Sequence, residues 1–112
     1  MQEFEILESD KFKIDLEDAA LWHYSHNLEQ SQDFADQKFI ELEQEINGLK
    51  SHLRKNPRIG QTDEISGLRR FPVYEGRYLV TWAISDNEKT LTLLEFIDSK
   101  YPKQLREIFF DD

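Results

Sequence analysis

Arg69, Arg70, Arg77, Lys100 and Tyr101 are, among other arginines, lysines and tyrosines of this sequence, of types that could act on a phosphodiester. Such chemistry needs cations around the phosphate, a group to take the proton of the attacking hydroxyl, and another to protonate the leaving oxygen. Each of these residues also has a plainer reading. Arginine and lysine on strands are usually solvated and often guard a sheet edge. Tyr74, Tyr78 and Trp82 serve more often as core or cross-strand packing than as platforms for bases.

The other chemistry-bearing types are sparse. His23 and His26 stand three apart and would share a helix face, where nearby carboxylates could help them hold zinc weakly. No third ligand stands at a recognised spacing, so they and His52 read as ordinary helix histidines, and no metal site or cofactor is expected. Glu41, Glu43 and Glu45 alternate at every second position, which cannot converge on one site from a helix. There is no glycine-rich phosphate loop and no Ser-His-Asp or Cys-His set. The absence of cysteine excludes disulfides and thiolate metal sites.

What positions these residues can be read from spacing. Glu3 to Leu7 alternates and then turns apolar, which predicts a short strand. Ser9 or Asp10 can cap a first helix running from Phe12 to about His26, with Phe12, Leu16, Ala19 or Ala20, and His23 on one face and Trp22 beside them. Ala35, Phe39, Leu42, Ile46, Leu49 and Leu53 are spaced 4, 3, 4, 3, 4 and predict a long second helix. Asp33 can cap its start, Asp36 suits its first turn, and Lys50, Arg54 and Lys55 suit its end. Pro57 stops it, and Gly48 is an interior weakness whose small size would allow a close helix crossing. The apolar stripe fits a core face against a sheet better than a coiled-coil seam, because strands follow it.

After the polar stretch Gln61 to Gly67 come three strands, Leu68 to Tyr74, Arg77 to Ser85 and Thr90 to Ile97, joined by turns at Glu75-Gly76 and Asp86 to Lys89. Short connections make them an antiparallel meander, with Pro72 suited to an edge. Pro102 opens a last short helix with Leu105, Ile108 and Phe109 on its apolar face. The fold class is thus α+β, a helical hairpin packed on an antiparallel sheet in the order β-α-α-β-β-β-α. The 112 residues form one domain, 1–112.

Charge divides the chain. Residues 1–48 hold thirteen acidic and three basic side chains, whereas residues 49–106 hold seven acidic and eleven basic. The net charge of -9 opposes long-range attraction to nucleic acid, yet the second half could carry a local basic face. No apolar run is long enough to span a membrane, and Met1 to Glu5 lacks the pattern of a signal peptide, so a cytoplasmic location and no membrane partner are expected.

The order of these pieces resembles the RelE/ParE superfamily, its ParE branch most closely. The resemblance is carried by Asn56-Pro57-Arg58-Ile59-Gly60, by Gly67 to Val73 with its Leu68-Arg69 pair, and by Gly76-Arg77-Tyr78 entering a strand. Asp15-Leu16 and Trp22-His23-Tyr24 look like the family's first helix, and Phe39 to Ile46 like the face of its second. It spans residues 3–101. The resemblance implies a toxin of a type II toxin–antitoxin pair, held by a cognate antitoxin in a hetero-oligomer, and acting in one of two ways. ParE-like members, known in plasmid stabilisation, poison DNA gyrase by binding it. RelE-like members cut messenger RNA on the ribosome without metal, which here would use Arg70, Arg77, Lys100 and Tyr101. A third reading is a non-toxic homologue that serves only as the antitoxin's partner.

Many family members carry a basic or histidine-containing cluster after the last strand, where this chain has Asp98-Ser99-Lys100-Tyr101-Pro102. That departure and the acidic first half favour the gyrase-binding reading over the ribonuclease. Partner binding is expected at Phe4, Arg69, Phe109 and Phe110, with an exposed apolar groove that an antitoxin, or a second copy in a homodimer, would cover. Tight, salt-insensitive antitoxin binding would fit such a groove. The cationic residues are expected to gather on the concave side of the meander.

Overall fold

The computed structural model describes residues 3–99. Strand β1 (Glu5–Glu8) leads into α1 (Asp10–Asn27) and α2 (Gln32–Lys55), and then into β2 (Gln61–Thr62), β3 (Arg69–Val73), β4 (Tyr78–Ser85) and β5 (Thr90–Asp98). The five strands form one sheet in the order β1-β5-β4-β3-β2. Neighbours from β2 to β5 are antiparallel, as the short turns predict, but β1 joins β5 in parallel, with Ile6 opposite Leu91 and Leu7 opposite Thr92. The sheet is therefore mixed, because the chain returns to β1 only after two helices and the whole meander. The expected final helix, residues 102–110, lies outside the described residues.

Local chemistry explains the helix ends. Ser9 caps α1 by accepting the Phe12 N–H at 3.0 Å, and its own hydroxyl donates to Leu94 O at 2.9 Å, which ties the cap to β5. Ser31, not Asp33, caps α2, accepting the Phe34 N–H at 3.0 Å, while Asp33 sits in the first turn where it faces the positive end of the helix dipole. Gly48 allows no close crossing, since nothing lies within 4 Å of where its Cβ would stand.

The helical pair packs on one face of the sheet. Leu42, Ile46, Leu49 and Leu53 of α2 and Phe12 of α1 meet Val73, Tyr78, Val80, Trp82, Leu91, Leu93 and Phe96 in a single core. Phe39, predicted on the same stripe, is only partly buried, at the rim between the helices. Trp82 is fully buried, and its Nε1–H donates to Pro57 O at 3.0 Å, so the residue that ends α2 is anchored to the centre of the sheet. A register shift between Thr81 and Trp82 bulges β5 and brings Phe96 and Asp98 onto the face that carries Val80 and Tyr78.

The polar stretch 61–67 carries β2 and a tight turn. Asp63 Oδ1 accepts the N–H groups of Ile65 at 2.8 Å and Ser66 at 3.1 Å. Gly60 has φ +83, and a Cβ there would lie 2.2 Å from Arg70 O, so only glycine permits the approach that lets β2 pair with β3.

Candidate functional site

The three described candidate arginines do not gather on one concave surface. Arg69 lies opposite Trp82 on the helix-facing side, but its guanidinium is consumed by the chain. It donates to Ile59 O at 3.2 Å, Gly60 O at 3.3 Å and Thr62 Oγ1 at 2.7 Å, and to Arg58 O. Its observable role is to pin the segment between α2 and β2. Arg70 lies opposite Thr81 and is exposed on the other face of the sheet. Strand alternation fixes that separation, since neighbours on a strand point to opposite faces.

Arg77 comes from the turn before β4 and lines a cleft of about 620 Å³ between α1 and the ends of β4 and β5. Its guanidinium carbon stands 5.0 Å from the ring centre of Trp22 and 5.7 Å from that of Tyr78. Its Nε is 3.6 Å from Asp98 Oδ2 and has no hydrogen-bond partner among the described residues. Asp15 and Asp18 of α1 line the same cleft. Asp15, Asp18 and Asp98 thus share the cleft with Arg77, Asp98 being paired with Arg77 and Asp15 with Lys11. Arg77 and Arg70 do not share this cleft. Lys100 and Tyr101, and the partner-binding candidates Phe109 and Phe110, lie outside the described residues.

Behind the cleft, His23 is buried with its Nε2 2.6 Å from the Tyr78 hydroxyl. Burial is the main cause that lowers the His23 pKa below its ordinary value, the neighbouring Arg77 adds to it, and Asp98 opposes it. Burial likewise raises the Tyr78 pKa. Both shifts favour the uncharged forms of the imidazole and the phenol. His26 stacks on Trp22 with ring centres 4.9 Å apart, so the two histidines do not converge on a common point.

Phe4 does not line an open groove, contrary to expectation. It is 8 % exposed and belongs to the core, with its backbone N–H bonded to Arg54 O at 3.0 Å and Lys89 over its ring. The open apolar surface lies instead between the helices. Leu16, Ala20 and Leu21 of α1 and Phe39 and Leu42 of α2 line a groove of about 360 Å³, rimmed by Glu8, Lys13, Glu17 and Glu43. Beside it Ile14, Leu21 and Leu28 are 58 %, 56 % and 44 % exposed. These three stand seven apart, so α1 has a second apolar stripe besides the one facing the sheet. That spacing was a readable signal, as was the Asp15, Asp18, Trp22 set, which falls on one helix face at i, i+3 and i+7.

No family model matches the sequence, and no curated protein matches it. Among solved structures, a chain from the chromosomal ParDE TA system of P. aeruginosa superposes with a TM-score of 0.61 over 86 % of this chain and 96 % of that one, at 16 % identity. The chain has a ParE-like fold. The agreement covers nearly all of the ParDE chain, so it extends to the helical pair and the meander together and not to a shared hairpin alone. The likeness places the two helices and the sheet and says nothing of the residues in the cleft, which follow from this chain alone. Among the described residues no helix is long and apolar enough to cross a membrane.

Proposed function

We propose that the protein is a ParE-type toxin of a type II toxin–antitoxin module, which acts by binding a protein target such as DNA gyrase and is neutralised by a cognate antitoxin. The single observation that carries this reading is the fold shared with a chain of a ParDE system over 86 % of the sequence. The state of Arg77 supports binding over RNA cutting. Its charge is opposed by Asp98 and its plane is occupied by Trp22 and Tyr78, which leaves little to stabilise a developing phosphorane. In this reading the α1–α2 groove receives the antitoxin, while the open face of the sheet, with Arg70, and residues 100–112 meet the target. Action then needs only a difference in affinity between two conformations of the target.

Induced expression of the chain without an antitoxin tests the proposal. Growth arrest with an SOS response and gyrase stalled on DNA is the expected result. Arrest with cleaved messenger RNA and no SOS response would overturn it in favour of a RelE-like ribonuclease. Unimpaired growth of cells holding folded protein would leave only a partner of an antitoxin.

A further inference from the structure

The α1–α2 groove is apolar at its floor and acidic at its rim. Leu16, Leu21, Phe39 and Leu42 supply the floor. Of the rim carboxylates, Glu8 is paired with Lys50, but Glu17 and Glu43 have no partner among the described residues. Glu17 stands on α1 and Glu43 on α2, and Lys13 is the only cation lining the groove among the described residues. A groove between two antiparallel helices has the width that admits a third helix, whose side chains would interdigitate with the ridges on either side.

Resting on the reading of this groove as the antitoxin site, we infer that its occupant is an amphipathic helix whose apolar stripe is flanked by lysine or arginine on both sides. The apolar stripe fills the floor, and the flanking cations meet Glu17 on one wall and Glu43 on the other. A second copy of this chain is a poor occupant, because residues 1–48 carry thirteen acidic against three basic side chains and would meet their like. The chain's own residues 100–112 are equally unsuited, since Lys100, Lys103 and Arg106 are balanced there by Glu107, Asp111 and Asp112. The rim also revises the expectation of salt-insensitive binding: paired charges at the edge of an interface set the association rate, and salt screens them.

The test uses the full chain and two synthetic helical peptides of roughly 20 residues, with one identical leucine stripe flanked by lysine in the first and by glutamate in the second. Affinity is measured by calorimetry at low and high salt, and the surface is mapped by amide chemical shifts. The lysine-flanked peptide is expected to bind along α1 and α2 at least about tenfold more tightly than its counterpart, and to lose that advantage in high salt. The double variant Glu17→Lys/Glu43→Lys is expected to reverse the preference. Leu21→Asp, at a half-exposed position that tolerates a polar side chain in the free protein, is expected to abolish binding of both peptides. Equal affinities that Leu21→Asp abolishes would overturn the charge inference and leave the groove reading standing. Binding that maps elsewhere, or that survives Leu21→Asp, would overturn both. So would the absence of binding by either peptide, and a concentration-dependent mass would then identify a second copy as the occupant.

Discussion

His23 Nε2 and the Tyr78 hydroxyl meet at 2.6 Å, and both side chains are buried where α1 lies over the sheet. The bond joins the last third of the first helix to the first residue of the central strand. Tyr78→Phe keeps the ring and its stacking on Phe96 but leaves the imidazole nitrogen without its partner. The expected cost is about 1–3 kcal/mol in urea denaturation, the desolvation penalty of an unpaired buried polar group. His23→Leu/Tyr78→Phe, which removes both polar groups, should recover part of that loss. If Tyr78→Phe alone proves neutral, the pair contributes nothing to stability.

The same histidine gives a pH dependence with a definite sign. Its pKa in the fold lies below the ordinary 6.5, chiefly because of burial and then because of Arg77. Below about 6.5 the unfolded chain takes up a proton that the folded chain resists, so stability falls as the pH drops through that value and is undiminished above it. The decline should be visible above the range near pH ~4 where carboxylates titrate. Replacing His23 by Gln should flatten the slope of stability against pH in that interval. An unchanged slope would assign the effect to another group.

Two glycines should respond in opposite directions to alanine. Gly60→Ala forces a Cβ against Arg70 O in a left-handed conformation and should cost more than about 2 kcal/mol, with the β2–β3 pairing lost first in hydrogen exchange. Gly48→Ala meets nothing within 4 Å inside α2 and should stabilise by about 1 kcal/mol, read as a higher melting temperature.

Arg69 and Arg70 are neighbours with unequal roles. Arg69→Lys should lower stability nearly as much as Arg69→Ala, because an ammonium cannot span the Arg58, Ile59 and Gly60 carbonyls and the Thr62 hydroxyl together. Arg70→Ala, on the exposed face, should stay within about 0.5 kcal/mol of the parent. Equal effects of Arg69→Ala and Arg70→Ala in thermal denaturation would contradict the pinning role.

Local periodicity made most of the scaffold legible. The stripe from Ala35 to Leu53 states the face of α2 outright, and the alternation in Tyr78 to Ser85 states the buried face of β4. Interactions between distant segments were not legible in the same way. β1 is four residues long, and nothing in Glu5–Glu8 specifies that it should pair with Thr90–Leu93 or run parallel to it. β2 is two residues held by the absence of a side chain at Gly60. Phe4 reads as an exposed apolar residue near a terminus, yet it packs into the core, with its amide bonded to Arg54 O and Lys89 over its ring, contacts between segments distant in sequence. The cations failed to converge for a related reason: alternation sorts Arg69 from Arg70, but it does not reveal that a nearby loop offers carbonyls to one of them.

The parallel union of the first and last described strands has a consequence for how the molecule is made. A ribosome would deliver β1 and both helices well before β5 exists, so the hairpin must wait with part of its apolar surface unshielded until Leu91, Leu93 and Phe96 have emerged. Closure pairs Glu5–Glu8 with Thr90–Leu93, a contact between segments far apart in sequence, and such contacts form slowly. Until that seam shuts, the nascent polypeptide offers chaperones and proteases a surface that the finished protein conceals.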